Sequence, residues 1–192
     1  MAIRIIAGRF RSRQIIAPKN AQTTRPIVSH VKESLFNLLR GHIENQPFLD
    51  LFAGTGTIGL EALSRGASRA YFVERDRDSI HRLKQNIQNL NLQNETTIIT
   101  GDALSPLALA SITENIHIAT LDPPYPLLQS EENLLRLQSQ MERLTPIIDD
   151  DGYLILRTEH PFNQYPLPNP ETMAGPETHP YKSMALHFYQ PK

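Results

Sequence analysis

The chain has 192 residues, 40% hydrophobic and 20% charged, which suits one soluble α/β domain with a full core. The lack of cysteine excludes disulfides, thiolate zinc sites and cysteine nucleophiles, including the thiolate addition that methylates C5 of a pyrimidine. The net charge of −1 hides an asymmetry: residues 1–32 hold Arg4, Arg9, Arg11, Arg13, Lys19, Arg25 and Lys32 and no acid, whereas 12 basic residues face all 20 acidic ones beyond, a balance of −8. A basic segment on an acidic body suggests a polyanion gripped by one face. No apolar run approaches the roughly 20 residues of a bilayer span, and no apolar stretch follows the basic N-terminus, so a cytoplasmic protein is expected. The histidines show no paired ligand spacing, and no metal site is expected.

In chain order, Ile3 to Phe10 and Arg13 to Ala17 read as two short strands of a β-hairpin turning near Gly8, followed by a linker from Pro18 to Gln22. A domain boundary is placed there, with residues 1–22 a basic hairpin extension and 23–192 the main domain. Thr24-Arg25-Pro26 leads into a helix with Ser29 as N-cap, Lys32-Glu33 in its first turn, an apolar stripe of Val31, Leu35, Leu38 and Leu39, and Gly41 at its end. From Phe48 the pattern alternates. Strands are expected at Phe48 to Phe52, Arg69 to Val73, Thr96 to Thr100, Ile116 to Leu121 and Tyr153 to Arg157. Helices are expected from about Leu60 to Arg65, Asp78 to Leu90 and Glu131 to Leu144. This alternation predicts an α/β fold, a Rossmann-like, mostly parallel sheet with helices on both faces. The proline-rich stretch from Pro161 to Pro180 cannot stay helical, and Ser183 to Gln190 reads as a last strand, antiparallel to a short preceding one.

Two stretches carry chemistry. The first runs from Phe48 through Asp50, Phe52, Gly54, Thr55 and Gly56 to Gly59: a buried strand, a glycine turn and a helix N-terminus, suited to close approach of a nucleotide-like ligand. Its G-x-G-x-x-G spacing equally admits a nicotinamide or flavin. Carboxylates fall at or beside consecutive strand ends: Asp50, Glu74, Asp102 and Asp122. Glu74, 20 residues after Gly54, is placed to accept ribose hydroxyls, with Arg75 beside it. Asp102 can accept from an adenine amino group, with the Ala103 N–H facing a ring nitrogen, and Asp50 can orient the loop or reach the amino end of a cofactor.

The second stretch is Asp122-Pro123-Pro124-Tyr125. Consecutive prolines remove two N–H donors and leave carbonyls and a carboxylate as acceptors. Such a cluster suits a planar group bearing –NH₂: Asp122 and the Pro123 carbonyl would hold the amine in line with a methyl donor, and Tyr125 would stack on the ring, worth roughly 1–3 kcal/mol. Asp122 can also take the proton as the nitrogen becomes positive.

With these residues the sequence resembles the class I S-adenosylmethionine-dependent methyltransferases that modify exocyclic or amide nitrogens. More narrowly, Arg4-Ile5-Ile6-Ala7-Gly8-Arg9, Thr24-Arg25-Pro26, Val31-Lys32-Glu33-Ser34-Leu35-Phe36-Asn37 and Leu60-Glu61-Ala62-Leu63-Ser64-Arg65-Gly66-Ala67 resemble the RsmD-type 16S ribosomal RNA guanine-N2 methyltransferases. The resemblance covers nearly the whole chain and thins after about residue 158. It implies S-adenosyl-L-methionine as cofactor at Asp50, the Gly54 loop, Glu74 and Asp102, a catalytic loop from Asp122 to Tyr125, and 16S rRNA within a small-subunit particle as partner. The basic residues of the first 32 would grip phosphates, and a monomer is expected. Two departures stand out: Ile27-Val28-Ser29-His30 replaces a polar Thr/Ser-Asp-Arg stretch, and Tyr181-Lys182-Ser183-Met184 replaces Tyr-Gly-x-Thr.

Other readings compete. A DNA adenine-N6 methyltransferase shares the Asp-Pro-Pro-Tyr loop, but 192 residues leave no room for a separate target-recognition domain. A protein-glutamine methyltransferase more often carries Asn at the position of Asp122. A nicotinamide-dependent oxidoreductase fits the glycine spacing and Glu74 but leaves the proline loop and the basic arm unexplained. A non-catalytic RNA-binding module would keep the arm and bind no cofactor.

Overall fold

Along residues 47–51, Phe48 and Asp50 face one side of a sheet and Leu49 and Leu51 the other, all within 1% of full burial. A strand buried on both faces is what a parallel sheet covered by helices requires. The computed structural model describes residues 3–19, 27–162 and 168–192. The elements are β1 (Ile3–Arg4), β2 (Gln14–Ile15), α1 (Ser29–Leu38), β3 (Pro47–Leu51), α2 (Thr57–Ser64), β4 (Arg69–Glu74), α3 (Arg77–Asn89), β5 (Thr96–Thr100), β6 (Ile116–Leu121), α4 (Glu131–Leu144), β7 (Ile148–Glu159), β8 (Met173–Pro180) and β9 (Met184–Pro191).

The large sheet has the order β5-β4-β3-β6-β7-β9-β8. Its first five strands are parallel; β9 runs antiparallel to both β7 and β8. One face is covered by α1, α2 and α3 through Val31, Leu35, Leu60, Leu63, Leu83 and Ile87; the other by α4 through Leu137, Met141 and Leu144. Strand order reverses between β3 and β6, and the crevice beyond their carboxyl ends is where ligands bind in such sheets.

Most element boundaries follow the sequence reading, and the deviations have physical causes. The hairpin strands shrink to two residues each, because Ile5 and Ile15 turn into the main core and the chain between them docks on α2. Helix α1 has Val28 as N-cap with no side-chain cap; Ser29 is already helical, no acid falls in the first turn, and Leu39 is the C-cap. Its buried stripe runs through Val31, Leu35 and Leu39 with Phe36, while Leu38 is 41% exposed. Helix α2 starts at Thr57, so Gly59 lies in its first turn. Strand β7 extends from Ile148, well before Tyr153. The expected linker from Pro18 runs into residues 20–26, which, with Thr24-Arg25-Pro26, lie outside the described residues.

Lys32 requires a correction. It was expected at an RNA surface, yet it is 2% exposed, and its ammonium donates to Glu61 Oε2 at 3.1 Å and to the Arg4 carbonyl. Glu61, fully buried on α2, also accepts from the Ile6 and Ala7 N–H groups and from Arg65 Nε. Burial lowers the Lys32 pKa and the Glu61 carboxylate opposes that shift. The pair fastens the basic arm and α1 onto α2, which places it beyond reach of a polyanion.

Candidate active site

The parallel register carries Leu51, Leu121 and Leu156 in one row across β3, β6 and β7, so the next residues, Phe52, Asp122 and Arg157, emerge side by side at the carboxyl edge. There a cleft of about 800 Å³ opens, lined by Asp50, Phe52, Gly54, Glu74, Asp122, Tyr125 and Arg157 among others.

The glycine loop is held by its neighbours. Phe52, Gly54 and Gly56 all take positive φ (65°, 55° and 84°); for Phe52 this is an uncommon conformation of the kind found at functional sites. A Cβ on Gly54 would meet nothing within 4 Å, so its open side faces the cleft. A Cβ on Gly59 would lie 2.4 Å from a Phe72 ring carbon, and this third glycine therefore serves the packing of α2 on β4. Thr55 is buried and its carbonyl accepts from Asn86 Nδ2, which ties the loop to α3.

The carboxylates at the strand ends differ in state. Asp50 accepts from the Gly59 N–H at 3.0 Å and the Thr120 hydroxyl at 3.2 Å; burial nevertheless pushes its pKa up to about 7, with Asp122 adding to the rise. Glu74 accepts from the Gly54 N–H at 2.7 Å and from the Arg75 and Asp76 N–H groups, bridging two loops at the mouth of the cleft. Asp102 is engaged by partners within the protein. Its carboxylate accepts from the Leu104 N–H and Arg136, which hold its pKa low against desolvation, and it does not line the cleft, whereas Gly101 and Ala103 do.

At the loop's opposite wall, Pro123 and Pro124 deliver Tyr125 into a 3-10 turn, Tyr125–Gln129. Asp122 is ion-paired with Arg157 Nε. Arg157 is 6% exposed, donates to the Tyr125 hydroxyl at 3.3 Å, and its guanidinium carbon lies 5.5 Å from the Tyr125 ring centre. Burial raises the Asp122 pKa, and the guanidinium opposes the shift. In the sequence Arg157 reads only as the end of a strand; the available signal is a cation closing an apolar strand.

The chain matches the family profile described as Conserved hypothetical protein 95 over residues 3–190. It is 33% identical over 168 residues to the ribosomal RNA small subunit methyltransferase D of Haemophilus influenzae, covering 81% of this chain and 86% of that protein. It is 39% identical over 152 residues to the protein of the same name from Escherichia coli, covering 79% and 69%. The solved structure of yhhF from Escherichia coli superposes with a TM-score of 0.79 at 29% identity, covering 100% of this chain and 99% of that one. The chain belongs to the RsmD family. Its sheet is that of a class I methyltransferase, with the small antiparallel hairpin ahead of it.

Within this family member the expected basic residues separate into three groups. Arg4, Arg9, Arg11, Arg13 and Lys19 are exposed, and Lys19 lines the cleft. Lys32 is buried, and Arg25 lies outside the described residues. Arg9 pairs with Glu95 and Arg13 donates to the Asn89 carbonyl, so the arm is braced against α3 and the turn after it. The two departures from the family pattern meet: the His30 and Tyr181 rings are 6.5 Å apart, Tyr181 bonds Ser34 on α1, and the Met184 sulfur accepts from Arg157.

Proposed function

We propose that this protein transfers a methyl group from S-adenosyl-L-methionine to the exocyclic N2 amine of a guanine in 16S ribosomal RNA. The observation that carries the reading is the Asp122-Pro123-Pro124-Tyr125 loop at the point where strand order reverses, with Asp122 held by Arg157 beside the glycine-loop cleft. The residues present fit the cofactor: an open glycine face at Gly54, a carboxylate at Glu74 and an 800 Å³ cleft. Asp50, Phe52, Gly54, Thr55, Gly56, Glu74, Arg75, Asp102 and Ala103 would hold it. When bound, S-adenosyl-L-methionine supplies a methyl group on a positively charged sulfur.

The chain's own part is positioning and proton management. Asp122 and the Pro123 carbonyl accept the amine hydrogens and so orient the nitrogen lone pair toward the cofactor. Methylation makes that nitrogen positive, and its proton passes to Asp122, whose raised pKa suits a transient base. Arg157 fixes the carboxylate, and Tyr125 stacks on the base. A guanine must leave its stack to reach this depth. Lys19 gives phosphates a cation at the cleft, and the exposed Arg4, Arg9, Arg11 and Arg13 extend the basic surface along the arm away from it. In this reading residues 1–22 form the RNA arm and 23–192 the catalytic unit, acting as a monomer in the cytoplasm on rRNA within a small-subunit particle.

The test is transfer of labelled methyl from S-adenosyl-L-methionine to rRNA and to small-subunit particles from a strain lacking this gene, followed by nucleoside analysis. Label in N2-methylguanosine is expected. Label in another nucleoside would reassign the base pocket. No label in RNA, despite thermal stabilisation by S-adenosylhomocysteine, would overturn RNA as the substrate.

A further inference from the structure

The expectation that the histidines are scattered does not survive folding. His42, after α1, and His117, second residue of β6, are 75 positions apart in sequence, yet His42 Nδ1 and His117 Nε2 lie 3.2 Å from each other. The cause is in the β6–β7 ladder. Its register slips between Ile116, which pairs with Ile148, and Ile118, which pairs with Tyr153, so that four residues, 149–152, stand opposite the single His117. Gly152 permits the approach, since a Cβ there would sit 2.4 Å from the His117 carbonyl. The bulge brings Asp149 Oδ2 to 3.4 Å and Asp151 Oδ1 to 3.6 Å from His117 Nδ1. One ligand atom each from His42, His117 and Asp151 lies within 4.8 Å of the others.

We infer that His42, His117 and Asp151 form a binding site for a divalent transition-metal ion of the zinc, cobalt and nickel class. Two imidazoles and a carboxylate suit these ions better than magnesium or calcium. The 3.2 Å between the two ring nitrogens is close to the edge of a tetrahedron with metal–nitrogen bonds of about 2.0–2.1 Å. Asp149, facing the other His117 nitrogen, acts as the outer carboxylate that orients a ligating imidazole. The edge of the Tyr153 ring, 5.0 Å from the His42 ring, holds that imidazole in place. Binding requires the shared proton between the rings to move to His42 Nε2, a tilt of both rings, which lie within 15° of parallel with their nitrogens facing each other, and a swing of the 80%-exposed Asp151 side chain from the Nδ1 side of His117 to its Nε2 side. The fourth position is left to water. The site lies at the amino end of β6, five residues or about 16 Å from Asp122, so the ion ties the loop before β3 to β6 and β7 without touching the methyl-transfer cleft.

Chelator-treated full-length protein titrated with zinc ion alone, by calorimetry and by thermal melting, tests this inference. One equivalent should bind, the Tm should rise, and magnesium at equal concentration should leave the Tm unchanged. Asp151→Asn and His42→Gln should each weaken binding tenfold or more while melting in chelator like the wild type. His179→Ala, at a half-buried histidine beside Glu177, should leave binding unaltered. Absence of saturable binding, binding that survives both ligand substitutions, or binding lost with His179 would overturn the site. The result is independent of the substrate and cofactor of the cleft.

Discussion

Two buried carboxylates face cations in this molecule and end in opposite conditions. Glu61 is enclosed on α2, with Lys32, Arg65 and two backbone N–H groups on its two oxygens. Asp122 has Arg157 as its one side-chain partner among the described residues, and it borders the cleft. A fully satisfied pair has no capacity left for a ligand and acts as a fastening. A pair satisfied on one side keeps an acceptor for chemistry, at the expense of a raised pKa. Burial alone therefore does not separate the fastening at Glu61 from the catalytic role proposed for Asp122; the number of unused acceptor positions does.

The largest expected break in this contrast is Glu61→Ala. It leaves Lys32 charged in the interior and two backbone donors without partners, so stability measured by urea unfolding should fall by about 3–5 kcal/mol, with detachment of the basic arm. A buried group held between two hydroxyls sharpens the comparison. His187 is fully buried between the Thr158 and Thr178 hydroxyls, and burial, aided by His160, pushes its pKa down to about 4. Its folded value lies below the ordinary 6.5, so its contribution is complete above about pH 6.5 and lost as pH falls toward 4, about 3 kcal/mol at most. Asp50, raised to about 7, has the opposite sign: stability falls as pH climbs from about 4 to 7. The two slopes offset each other where they overlap, so His187→Gln should expose a declining stability between pH 4 and 6.5 in urea titrations at stepped pH; a rising one would contradict the assignment.

Arg157→Met separates positioning from fold. Asp122 can gain a proton or meet water in the cleft, so unfolding should cost only about 1–2 kcal/mol, less than Glu61→Ala, while methyl transfer falls on the order of 100-fold. The discriminating readout is the pH–rate profile, whose acid limb should move toward higher pH once the guanidinium no longer holds the carboxylate ionised. The smallest effect belongs to Arg11→Ala on the exposed arm. It should weaken RNA binding by under about 1.4 kcal/mol, roughly tenfold, and reduce the slope of log affinity against log salt by about one, with stability unchanged.

Much of this was legible from the sequence. Strands β5 and β6 and helix α4 fall at their expected boundaries, because each is an apolar or amphipathic run bounded by clear stops. The glycine loop and Asp-Pro-Pro-Tyr are local motifs, and the fold brings both to one cleft. What stayed hidden is what needs partners distant in sequence. Lys32 reads as one more surface cation until Glu61 arrives from α2. Arg157 reads as a strand end until register sets it beside Asp122. His42 and His117 look unrelated until a bulge in β7 draws them together. Asp102 likewise reads as a lone strand-end acid until Arg136 reaches it from α4.

The central claim is that Asp122 handles the amine and its proton and does not hold the cofactor. The most direct measurement compares Asp122→Ala with wild type for methyl transfer to small-subunit particles, alongside S-adenosylhomocysteine binding by calorimetry. The account predicts transfer reduced by about 1,000-fold or more with cofactor affinity within about threefold of wild type. Transfer retained in a variant that binds cofactor normally would contradict it.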